Sequence, residues 1–261
     1  MSRHLRLALA LGVALVLGTS ARGAAQDRRW PSERPPRPLA ARNVAFPPFE
    51  IRTLSNGLQV VVVNHNEQPV VSLRLIVRAG TAQHPAARPG AAALAVLLLD
   101  QGTATRSAKQ IAETIDSVGG DLTTGVGRDL CYVDVVVMKD SFALAAGLLA
   151  DIARNPAFAP DEIERQRQQV LSALRVRHDD PEYVANVVFD RLVYGFHPYG
   201  LPGNGTRDSV ALITRDDLRA FHSQYFAPNN TLLAVVGDVT TAEVMTIVTG
   251  AFGDWPRRAL P

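Results

Sequence analysis

The side chains able to hold a metal or move a proton are few and scattered. Beyond the first 25 residues the histidines are His65, His84, His178, His197 and His222. No two of them stand three or four positions apart, so no helix can turn a pair of imidazoles toward one ion. Surface or structural roles are expected for all five. His178, followed by Asp179 and Asp180, suits a helix C-terminus, where the dipole favours a cation. Asp161, Glu162 and Glu164 could form a carboxylate pair, but they crowd what reads as a helix first turn, where acids stabilise the helix dipole. Gly203-Asn204-Gly205 lacks the context of a phosphate loop, and Ser107, Ser172, Ser209 and Ser223 lack that of a nucleophile elbow. Cys131 is the only cysteine, so no intrachain disulfide can form, and its alternating apolar surroundings read as a small buried side chain.

The elements around these residues follow from periodicity. Runs rich in β-branched residues predict strands at 58–64, 70–78, 121–126, 130–138 and 231–236. Residues 91–101 are apolar on every face and read as a buried helix. Ser107 caps a second helix to about Val118, which Gly119-Gly120 stops. Further helices are expected at 140–154, 160–178, 182–193, 215–225 and 241–252, the long charged one opened by Pro160 and broken at Asp180-Pro181. Strand pairs adjacent in sequence, mixed with helices, predict an α+β domain: a largely antiparallel sheet with helices packed on one face.

Composition sets the setting. The chain has 261 residues, 47% hydrophobic and 6% aromatic, so its core must be aliphatic. Residues 1–25 read as a secretory signal: Arg3 and Arg6, an apolar run from Leu7 to Gly18, and a small-residue site at Gly23-Ala24-Ala25, with cleavage before Gln26. That run is shorter than the ~20 residues of a membrane span, so no stable membrane anchor is expected after signal removal. Residues 26–45 read as a flexible Pro/Arg-rich arm. Removing Arg3, Arg6 and Arg22 leaves 24 basic against 25 acidic residues, a mature net charge of −1 with no electrostatic footprint for nucleic acid. An exported protein, periplasmic in a bacterium, is expected. The folded domain should run over 46–256, and residues 257–261 resemble the start of an interdomain linker.

Six segments in order resemble the pitrilysin/insulinase family of inverted-motif zinc peptidases. They are Ala79-Gly80-Thr81 through Gly102-Thr103, Gly119-Gly120-Asp121-Leu122, Phe158 to Arg165, His197-Pro198-Tyr199-Gly200, the stretch Ile213 to Leu218, and Pro228-Asn229-Asn230-Thr231 with Val236-Gly237-Asp238-Val239. The resemblance covers about 46–256 and implies a metallopeptidase-half domain. It also implies an H-x-x-E-H helix, whose positions i, i+3 and i+4 share one face, with a Glu from a later helix as third metal ligand. Anchored on Gly90 and Gly102-Thr103, those positions carry Ala93, Val96 and Leu97, and the distal Glu falls on Ala173. None of the four can bind a divalent cation or accept a proton. Residues 85–99 hold no His, Glu, Asp or Cys, so a shifted frame restores nothing.

The resemblance therefore implies a chain that is no enzyme by itself. It reads as a zinc-less pseudoenzyme subunit that binds unfolded peptides and pairs, as a heterodimer, with a zinc-bearing subunit of the same family in a proteolytic clamshell. No cofactor is expected on this chain, and zinc only in the partner. Two alternatives stay open: a stand-alone peptide-binding or assembly protein, and an active metallopeptidase with other ligands. Ala93, Val96 and Leu97 are expected to pack as core. The strand after the paired glycines matches the family's substrate-pairing strand, which places peptide binding at Thr123, Thr124 and Gly125 by strand addition. An ordinary edge strand kept short and polar would look the same.

Overall fold

The computed structural model describes residues 47–85 and 88–261. The expected signal over 1–25 and arm over 26–45 lie outside the described residues. Six strands form one sheet: β1 (Phe49–Thr53), β2 (Gln59–Asn64), β3 (Val70–Val77), β4 (Asp121–Val126), β5 (Cys131–Met138) and β6 (Thr231–Gly237), in the order β1-β2-β6-β3-β5-β4. Every pairing is antiparallel except β2 with β6. Eight helices complete the described part: α1 (Ala91–Leu97), α2 (Ala108–Asp116), α3 (Phe142–Arg154), α4 (Pro160–His178), α5 (Pro181–Tyr194), α6 (Arg207–Leu212), α7 (Arg215–Tyr225) and α8 (Thr241–Phe252).

The period-2 alternation decides which face is covered. Val60 and Val62 of β2, Val71, Leu73, Leu75 and Val77 of β3, and Val133, Val135 and Val137 of β5 are all 2% exposed or less. Their neighbours along each strand turn to the other, half-exposed face. There Arg74 reaches Asp134 at 3.3 Å and lies over the Tyr132 ring, one cross-strand group on the wetter side. Helix α3 lays Ala145, Ala146, Leu149 and Ile152 on the covered face. The expected α+β architecture is the observed one.

Four local differences separate the sequence reading from the fold, and each has a physical reason. Strand β1 was not anticipated, because all five of its residues are exposed and no alternation marks it. It forms only because β2 offers an edge, through a turn in which Leu54 donates its N–H to the Leu58 carbonyl at 2.9 Å. β2 and β3, neighbours in sequence, do not pair: β6 lies between them, parallel to one and antiparallel to the other. Helix α1 ends at Leu97 and not near Gln101. The Leu98 and Leu99 N–H groups bond three residues back, to Ala95 and Val96, and the chain then turns at Gly102, φ +122°. Helix α6 hid behind the turn residues Gly203-Asn204-Gly205; Thr206 caps it by accepting from the Ser209 N–H.

Other boundaries follow the capping chemistry. Ser107 accepts from the Gln110 N–H while Gln110 returns a bond to the Ser107 N–H, and Gly119 (φ +61°) sits just past the helix. Pro160 opens α4, and Asp180 with Pro181 opens α5. Gly102-Thr103 is held by α3: Thr103 Oγ1 donates to Asp151 Oδ2 at 2.8 Å, and Arg106 pairs with the same carboxylate. Burial works against ionisation of Asp151, but bonds from Asn155, Thr103, Arg106 and Thr105 outweigh it and hold its pKa below the usual carboxylate value.

Candidate functional site

Helix α1 touches β4, α4 and α7, so it is the element that joins the sheet edge to the long helix. Its placement is set by a backbone contact. Gly90, the residue before α1, has φ +94°, and a Cβ there would stand 2.8 Å from the Asn204 carbonyl oxygen. Gly205, φ +78°, would put a Cβ 2.5 Å from the Pro89 carbonyl oxygen. Two glycines are needed because two loops meet main chain to main chain. That contact seats Asn204 beside the start of α1.

The four positions that the resemblance assigns to metal chemistry now have places. Ala93 is 3% exposed and Val96 1%, both packed as expected. Leu97 is not core: it is 37% exposed. It stands at the last turn of a helix two turns long, where α1 and α4 leave an open hollow of about 290 Å³ between them. Ala173 lies across that hollow on α4, and Val170 and Leu174 complete an apolar floor. The structure thus brings Leu97 and Ala173 to one place, as the resemblance implies. The correction to the core reading lowers the expected cost of Leu97→Asp. The carboxylate can reach water in the hollow, so the loss should be about 1–2 kcal/mol in urea unfolding, not the several kcal/mol of a buried charge.

A zinc ion does not fit these residues. Ala93, Val96, Leu97 and Ala173 carry no donor atom. The polar side chains that line the hollow are the carboxamides of Gln166, Gln169 and Asn204 and the guanidinium of Arg177, none of them an ordinary zinc ligand. Among the described residues no group of three His, Cys, Asp or Glu is arranged to hold a metal.

The histidines are dispersed. His84 is 6% exposed with no hydrogen-bond partner at either ring nitrogen among the described residues, and burial lowers its pKa. His197 accepts from the Tyr199 N–H, and Tyr199 Oη donates to Asp129, which fastens this loop to the β4–β5 turn. His222 places Nε2 2.9 Å from the Ala153 carbonyl and stacks on Phe226. Burial pushes the Cys131 thiol up to about 12, and its Sγ donates to the Ala79 carbonyl, as befits a structural thiol.

Thr123, Thr124 and Gly125 lie on β4, which is an edge strand. The hairpin closes with the Gly127 N–H bonded to the Leu130 carbonyl at 2.7 Å. Counting back through the register, Gly125–Tyr132 and Thr123–Asp134 are hydrogen-bonded pairs, while Thr124–Val133 is not. The Thr124 N–H and C=O therefore point away from β5, and among the described residues no other backbone group takes them up. The two flanking residues serve differently: Tyr132 covers Gly125 so closely that a Cβ there would stand 2.2 Å from the ring, and Thr123 Oγ1 donates to Asp121.

The sequence reading did not single out Gln166, Gln169 and Arg177. Their spacing with Val170 and Ala173 along α4 was the available signal, since steps of three and four residues keep one helical face.

A sheet with helices on one face and a short apolar helix beside its edge strand defines a metallopeptidase-half domain. The family model described as Insulinase (Peptidase family M16) matches residues 59–202, and the one described as Peptidase M16 inactive domain matches residues 212–261. The chain belongs to the M16, or insulinase, peptidase family. A Mycobacterium leprae protein described as an uncharacterized zinc protease is 36% identical over 202 residues, which is 77% of this chain and 45% of that protein. The crystal structure of a peptidase M16 inactive domain from Pseudomonas fluorescens is 27% identical with a TM-score of 0.78, covering 82% of this chain and 52% of that one. The periplasmic protease PqqL from Escherichia coli shares the fold at 20% identity and a TM-score of 0.75, over 81% of this chain and 24% of its own. The chain spans about half the length of the curated relatives it matches.

Proposed function

We propose that this protein is a non-catalytic, zinc-less subunit of an M16 peptidase assembly, which binds unfolded peptide and pairs with a zinc-bearing subunit of the same family. The observation that carries this reading is the meeting of Leu97 and Ala173 in the hollow between α1 and α4, with Ala93 and Val96 buried behind. The helix keeps its place while every position that would hold or activate a metal-bound water is aliphatic. Helix α5 supports the pairing. It has no buried residue and exposes Val184, Val188, Phe189, Leu192 and Val193, the kind of apolar surface that marks a protein contact. The signal-like first 25 residues support a periplasmic location, in keeping with the compartment of PqqL, and among the described residues no helix is long and apolar enough to cross a membrane.

The test is metal content together with reconstituted activity. The purified chain should carry well under one zinc and leave unfolded peptides intact. Co-expressed with an M16 reading frame that retains H-x-x-E-H, it should co-purify and raise that subunit's turnover. One tightly held zinc per chain, with hydrolysis by the chain alone, would overturn the proposal.

Peptide binding is proposed at the open edge of β4. Thr124→Pro removes one outward donor without touching the ladder to β5, a position where an edge strand tolerates proline. Fluorescence anisotropy should show peptide affinity falling by about fivefold or more, the worth of one hydrogen bond plus the steric block. Circular dichroism should report an unchanged fold. Unaltered affinity in the folded variant would mean that peptides bind elsewhere.

A further inference from the structure

The hollow between α1 and α4 has a polar rim that nothing in the fold uses. Gln166 is 8% exposed, lines the hollow, and makes no side-chain hydrogen bond within the described residues. The side chain is mostly covered, but its amide atoms are not sealed from solvent, so they are left to water or to a ligand in the hollow. Gln169, Arg177 and Asn204 line the same space, and none of the three forms a side-chain hydrogen bond or ion pair within the described residues. Of the other arginines of α4, Arg165 pairs with Glu162 and Arg167 with Glu164, while Arg175, like Arg177, makes no ion pair within the described residues and lines a different surface. No acidic side chain lines the hollow. The rim is thus rich in donors and carries one cation, over a floor of Leu97, Val170, Ala173 and Leu174.

We infer that this hollow binds the C-terminal carboxylate of a peptide, with an aliphatic last side chain seated on the apolar floor. The inference deepens the peptide-binding reading above and rests on it. A carboxylate presents two oxygens that accept in one plane, which the fork of Arg177 matches, and the carboxamide N–H groups of Gln166, Gln169 and Asn204 can supply the remaining donors. At about 290 Å³ the space is at the lower limit for a small-molecule site and takes about one residue. Helix α1 touches both β4 and α4, so the hollow lies about one helix diameter, ~10 Å, from the sheet edge, a distance that about three extended residues span.

The experiment uses three end-labelled decapeptides of one unfolded sequence: a free acid ending in leucine, its C-terminal amide, and an amide ending in aspartate. Anisotropy is measured with the unmodified protein, with Arg177→Gln and with Gln166→Leu. Arg177 is exposed, so its variant should fold, and Gln166→Leu replaces an unpartnered buried group with an apolar one of similar size. The free acid should bind about tenfold more tightly than either amide. Arg177→Gln should erase that preference while leaving the amide's affinity unchanged, and Gln166→Leu should reduce it. Equal affinity of acid and amide overturns the inference; if both then weaken on Thr124→Pro, the β4 reading stands without it. Equal binding of the aspartate amide and the free acid also overturns it, since the hollow would then read a side-chain carboxylate. An Arg177→Gln variant that weakens acid and amide alike overturns it as a structural effect, and failure of every peptide to bind removes both readings.

Discussion

Urea unfolding of Val96→Glu should show a loss of about 3–5 kcal/mol relative to the unmodified chain, the cost of a buried charge without a partner. Val96 is 1% exposed and belongs to the one apolar cluster that α1 forms with the sheet and α7. The helix is only two turns long, so it has little room to shift. Restoring the whole motif should fare no better. Ala93→His combined with Val96→Glu and Leu97→His puts two polar groups into packed positions and only the third into the hollow. The distal ligand is still absent, since position 173 remains Ala. The triple variant should therefore lose stability and bind zinc more weakly than about micromolar. Leu97→His alone, facing the hollow, should fold and serves as the control. Nanomolar zinc in a folded triple variant would show that the site was a short step from function.

Acidification should weaken the fold through His222. Burial pushes its pKa down to about 4 against a reference of 6.5, with the bond to the Ala153 carbonyl opposing the shift and Arg258 adding to it. The folded state thus takes up the proton less readily than the unfolded chain. His222 favours folding fully above pH 6.5, and that contribution is lost as the pH falls toward 4. Over this window the loss should be about 3 kcal/mol. His84, also lowered by burial, acts in the same direction. Urea titrations at about pH 7.5 and pH 4 measure the difference. His222→Gln can still donate to Ala153 and should be less stable at neutral pH, because the stack on Phe226 is lost, yet flatter in its pH response. A variant with an undiminished pH slope would mean that other groups carry it.

Edge strand β4 and hollow differ in how far the sequence could reveal them. The Gly119-Gly120 stop, the alternation around Cys131 and the short β4 run are local, and local chemistry places them: a left-handed glycine past a capped helix, then two strands joined by a tight turn. That β4 lies at an edge is not local. It follows from β6 inserting between β2 and β3, a pairing across more than 150 residues that no window of the sequence contains. The bounds of α4, α7 and α8 were legible because proline and capping threonines mark where backbone N–H groups must be satisfied. The end of α1 was not, since Leu98 and Leu99 are as apolar as the helix itself and only the turn at Gly102 decides it.

By itself the sequence determined that the positions the resemblance assigns to metal binding carry no chemistry, because Ala, Val, Leu and Ala have no donor atoms in any fold. It also determined the aliphatic core and the α+β class, since both follow from composition and period. Only the tertiary structure decided that Leu97 is more than a third exposed, that Ala173 lines the same hollow, and that Gln166 and Arg177 make no side-chain bond within the described residues. Burial and partnership are relations between segments far apart in the chain. They depend on how distant segments meet, as where Gly90 meets Asn204 and Gly205 meets Pro89, two loops that approach more closely than any side chain would allow.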